Sequence, residues 1–131
     1  MTTKTTKIVF WATTVLIFLF EGVMPALTSH TELAKEGVRH LGYPPYFATM
    51  LMLFKVPGAL ALILPQVSGR IKEWAYAGFT FDFLAASFSH AAVDGFGVQA
   101  IAPLVALAIL GVSYWSYHKL QTESKLQALP F

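Results

Sequence analysis

The chain contains no cysteine. That excludes disulfide staples, thiolate metal ligation and dithiol exchange, and it leaves the redox compartment open. Charge is also scarce: 12% of the 131 residues are Asp, Glu, Lys or Arg, against roughly 25% in an ordinary soluble domain. The net charge of +2 is too small to point to nucleic acid, and the basic residues form no binding face. A glycine-rich phosphate loop and the GxSxG and HExxH signatures are absent too.

What is plentiful is apolar surface, with 56% hydrophobic residues. One water-soluble core of this size could not hide so much, whereas a bilayer solvates it if the backbone bonds to itself in helices. The expectation is an all-α integral membrane protein, one domain over residues 1–131. Four apolar runs, 8–27, 46–65, 74–93 and 98–117, each cover about 30 Å as a helix, one hydrocarbon thickness. Trp11, Trp74, Tyr76, Tyr114, Trp115 and Tyr117 sit where headgroups would meet such helices. A polar tail is expected over 118–131.

The leader with Lys4 and Lys7 resembles the start of a signal peptide. Glu21 inside the apolar run, and the lack of a small-x-small cleavage site after it, argue for an anchor that is retained. Between the first two runs, Ser29-x-x-Glu32 reads as a capping box. Leu33, Ala34, Gly37, Val38 and Leu41 then share a face opposite Glu32, Lys35, Glu36 and Arg39, with Gly42 as the stop before Pro44 and Pro45. This predicts a short amphipathic helix between helices 1 and 2, lying as a lid on a four-transmembrane-helix bundle. Lys and Arg in the connections number six on one side (Lys4, Lys7, Arg70, Lys72, Lys119, Lys125) and two on the other (Lys35, Arg39). Both termini are therefore expected in the cytoplasm.

Three charges lie inside apolar runs: Glu21, Lys55 and Asp82. Measured from the outer helix ends, they fall about 9, 13 and 16 Å deep, within reach of one lysine side chain. Each alone would cost about 3 kcal/mol at the membrane centre, and mutual pairing lowers that cost. They form the candidate ligand-binding or charge cluster, with His90 two turns beyond Asp82 toward the outer surface. A packing device is the plainer alternative. His30, His40 and His118 lie off the core, so neither paired haem ligation nor a metal site is expected. Pro57-Gly58 is expected to kink the second helix just past Lys55. Phenylalanines such as Phe79, Phe81 and Phe83 suit lipid contact or core filling, though a flat quinone ring could slot between them.

The stretches His40–Phe47, Phe54–Pro65, Ile71–Phe79, Phe81–Phe83 and Ser89–His90, in this order and spacing, resemble the DoxX-like family of small bacterial four-helix membrane proteins. The resemblance covers about residues 8–117 and places Glu21, Lys55, Asp82 and His90 among positions that match the family's pattern. It implies residence in the bacterial inner membrane. Through the quinone-linked sulfur oxidoreductase subunit behind the family name, it also implies a link to membrane redox or oxidative-stress complexes. The expected role is an accessory or ligand-binding subunit rather than an autonomous enzyme, with a quinone as ligand and membrane lipid and redox proteins as partners. A small transport or lipid-binding module, which would call for a homo-oligomer, and a purely structural subunit are the competing expectations.

Overall fold

Residues that favour helices run through most of this chain, and prolines and glycines mark where the direction changes. The computed structural model describes residues 2–128, and among them every regular element is helical. The first rod is built from α1 (Thr3–Phe18), one π-helical turn (Leu19–Val23) and α2 (Met24–Thr28). Pro25 has no N–H for the carbonyl of Glu21, four residues back, and the widened turn lies directly ahead of it.

The amphipathic helix is α3 (Glu32–His40). Its N-cap is Thr31, whose hydroxyl accepts the Ala34 N–H at 3.2 Å, so the cap sits two residues past the expected Ser29. Ser29 instead closes α2, its N–H donating to the Pro25 carbonyl. Gly42 terminates α3 as expected: its φ of +93° suits glycine, and Tyr43 N–H returns to the Val38 carbonyl. The remaining helices are α4 (Tyr46–Ile63), α5 (Gly69–Asp94) and α6 (Val98–Gln127). α5 starts at its Ser68 cap, ahead of the apolar run. α6 passes through Tyr117 into the stretch expected to be a polar tail. There it is tied down by a 2.7 Å hydrogen bond from Thr3 to Glu123 and by His118 against Glu73.

The rod α1–α2, α4 and α6 are each long and apolar enough to cross a membrane. α5 has the length, but Asp82, Ser87, Ser89 and His90 lower its hydropathy. α6 packs along both α1 and α5, while α4 packs against the π turn, α1 and α5, closing a ring. Much of the outward surface is aromatic or aliphatic, including Phe54, Phe81 and Phe88. That surface suits a lipid environment.

Polar side chains stitch the interior. Ser113 on α6 shares hydrogen bonds of 2.7 Å with Thr14 on α1 and Tyr76 on α5, all three buried. Ser87 donates at 2.7 Å to the Ala100 carbonyl, in the turn where Pro103 disturbs the α6 ladder. Lys72, which looks like a solvated turn residue, is buried: its ammonium donates to the Ala61, Leu62 and Leu64 carbonyls at 2.6, 3.1 and 2.7 Å. It caps the C-terminal end of α4, where orphan carbonyls and the helix dipole favour a cation. Lys72→Met is expected to cost about 1–3 kcal/mol, the scale for stranding buried acceptors. Exposed Arg70→Met should stay within about 0.5 kcal/mol of wild type. Thermal unfolding of both variants in one detergent checks this.

Candidate functional site

Glu21, Lys55 and Asp82 come from three different elements and meet. Lys55 Nζ lies 2.8 Å from Glu21 Oε2 and 3.5 Å from Asp82 Oδ2. All three side chains are about a fifth exposed or less. Two close approaches allow this. A Cβ on Gly22 would stand 2.8 Å from the Cβ of Ala59, so the π turn and α4 nearly touch one residue from Glu21 and one turn from Lys55. A Cβ on Gly58 would stand 3.2 Å from the Phe79 ring, which sets the distance between α4 and α5 near Asp82. Glycine and alanine here bring charged neighbours into range. The π turn also carries Glu21, and such turns are frequent at functional sites.

Lys55 and Asp82 line a cavity of about 560 Å³ along the seam of α4 and α5. Glu21 is not among its lining residues and stands behind Lys55 as a counter-charge. The volume lies in the range of small-molecule sites, roughly 300–1,000 Å³. Along α5 the cavity extends from Trp74 to Ser89, about 22 Å at helical rise. Val38 of α3, with Leu41 and Tyr43 just after it, closes one end of the cavity. Tyr43 stacks on Phe47 at 4.3 Å and its hydroxyl hydrogen-bonds Ser89 at 2.6 Å, fastening the lid to α5. A second fastener is His40, 2.6 Å from Asp94.

His90 stands apart from this group. It lies about 12 Å further along α5 than Asp82 and does not line the cavity. Its Nδ1 is buried without a hydrogen bond, 3.9 Å from Asp94. Gly22, Gly58 and Ala59 are small residues of the kind that lets membrane helices approach closely, so the sequence offers them as packing positions, but not which of them meet; the part that Tyr43 plays has no such signal. The one local signal for the π turn was Pro25, four residues after Glu21. Among the described residues no group of His, Asp and Glu is arranged to hold a metal ion.

Chemically, the cavity offers one cationic donor and one anionic acceptor on an otherwise apolar, aromatic wall. Lysine has three N–H donors and the two carboxylates engage two of them. A carbonyl or anionic group in the cavity could take the third, while Asp82 accepts from a hydroxyl. Neither the curated proteins nor the solved structures hold a match to the chain. A family model matches residues 9–113, the stretch that contains all four candidate residues and the whole cavity wall. On that match the chain belongs to the DoxX-like family.

Proposed function

We propose that this DoxX-like membrane protein binds the head of a lipophilic carbonyl compound, a quinone, between Lys55 and Asp82. In this reading it serves as an accessory or ligand-binding subunit of a quinone-linked redox or stress-response system, beside a redox protein that supplies the electrons. The observation that carries the reading is the placement of an ammonium and a carboxylate on the wall of an apolar cavity of about 560 Å³. Flat rings suit its aromatic walls at Phe47 and Phe79.

The reading includes a four-span bundle in the bacterial inner membrane with cytoplasmic termini. α5 supplies the fourth span: hydropathy counts Asp82 as a charge facing lipid, whereas Lys55 pairs with it inside the ring. Its outward side chains include Phe81, Leu84 and Phe88. With Lys72 withdrawn into the α4 cap, the connections still carry five basic residues on the side of the termini and two on the lid side.

The test is mass spectrometry of lipophiles extracted from protein purified in mild detergent. Wild type is compared with Lys55→Met and with the charge-balanced Glu21→Gln/Lys55→Met/Asp82→Asn. A quinone in near-stoichiometric amount with wild type, lost from both variants, is the expected result. A different lipid lost in the same way would replace the reading with a lipid-binding or transport role, which the length of the cavity would also suit. Equal and empty extracts from three folded proteins would make the cluster an assembly device.

A further inference from the structure

A second cavity lies at the other end of the molecule, where the start of α1, the α4–α5 turn and the last turns of α6 converge. Its volume is about 630 Å³. Unlike the cavity at Lys55, its wall is divided. Phe10, Trp11 and Leu62 make one side apolar, while Lys7, Glu123 and Gln127 line the rest. Such a division fits the boundary between headgroups and acyl chains, where tryptophan is enriched.

The charges of this wall are set out in a definite way. Lys72 lines the cavity, but its ammonium is engaged by three carbonyls. Lys7 pairs with no carboxylate of the described residues, although Glu123 lines the same cavity. Glu123 accepts from the Thr3 hydroxyl at 2.7 Å and pairs with no Lys, Arg or His of the described residues. Among the described residues, one cation and one anion therefore face a shared space without pairing with each other. The complementary ligand carries an anion and a cation a few bonds apart, next to apolar chains.

We infer that this cavity binds a phosphoethanolamine headgroup, with the phosphate against Lys7, the ammonium against Glu123, and the acyl chains leaving past Trp11. An ammonium that is not quaternised can donate hydrogen bonds to Glu123, and a purely anionic head would meet that carboxylate with the wrong sign. Basic pockets between membrane helices are known receivers of lipid phosphates. The carboxylate is what narrows this one to an amine-bearing head.

The experiment uses the full chain in detergent, delipidated and then incubated with equal amounts of phosphatidylethanolamine and phosphatidylglycerol. Native mass spectrometry reads the retained lipid. Wild type should retain phosphatidylethanolamine at least about fivefold over phosphatidylglycerol, since one charge-assisted contact is worth roughly that factor or more. Lys7→Gln should lower retention of both lipids, and Glu123→Gln should erase the preference while leaving phosphatidylglycerol binding intact. Competition with soluble glycerophosphoethanolamine distinguishes a free headgroup from a lipid. Displacement at micromolar levels would assign the site to the soluble compound and overturn the lipid form of the inference. Retention that shows no preference, or a preference unchanged in Glu123→Gln, overturns it altogether. Both positions lie far from Lys55, so loss of the quinone reading leaves this result unaffected.

Discussion

Lys55→Met should be among the most damaging single changes in the chain, lowering stability by about 3–5 kcal/mol, the range for removing one partner of a buried ion pair. Glu21 and Asp82 would be left facing each other through the space that the ammonium bridges at 2.8 and 3.5 Å. Methionine fills much of the lysine stem's volume, so the loss reports charge rather than a cavity. The companion Glu21→Gln/Lys55→Met/Asp82→Asn removes all three charges and keeps the shapes. It should recover most of the lost stability, because a buried ion cluster exchanged whole for neutral groups is often neutral or stabilising. Thermal unfolding in a fixed detergent measures both. If Lys55→Met unfolds within about 1 kcal/mol of wild type, the three charges are solvated and the cavity wall is wet. Ligand content then separates the two roles. A stable triple variant that has lost its quinone assigns the charges to binding, and a stable one that keeps its ligand assigns them to register.

Gly22→Ala should destabilise by about 1–3 kcal/mol, the cost of overpacking a tight contact. The sign is informative, because alanine is otherwise worth up to about 1 kcal/mol over glycine inside a helix. Here the new methyl would stand 2.8 Å from the Cβ of Ala59, an atom fixed to the α4 backbone. The π turn and α4 must part, which draws Glu21 away from Lys55. Ala59→Gly in the same chain removes the obstructing atom and should restore much of the stability. A double-mutant cycle would show coupling of about 1 kcal/mol or more between the two positions. Additive effects would mean that the helices meet somewhere else. Gly78 and Gly111, whose surroundings are open, should accept alanine without loss.

Composition and periodicity alone determined that this is an all-helical membrane protein, where its apolar runs lie, and that α3 is amphipathic and ends at Gly42. Those properties are local: a run of apolar side chains and a glycine at positive φ need no partner to be recognised. The motif order that resembles the DoxX-like family was equally local, and the family match over residues 9–113 confirms it. Depth arithmetic could put Glu21, Lys55 and Asp82 within reach of one another, but not on facing sides of three helices. The tertiary structure decided that, through the contacts of Gly22 with Ala59 and Gly58 with Phe79. Tertiary structure likewise buried Lys72, which a residue count assigns to solvent, because the carbonyls it caps belong to the preceding helix. It also kept α6 helical to Gln127, where Thr3 and Glu73 supply partners far away in sequence. Hydropathy averaged along α5 had the converse blindness. It counts Asp82 as a bare charge, while the cation that pairs with it comes from α4. A one-dimensional pattern records which side chains a helix carries, and only packing decides which of them face each other.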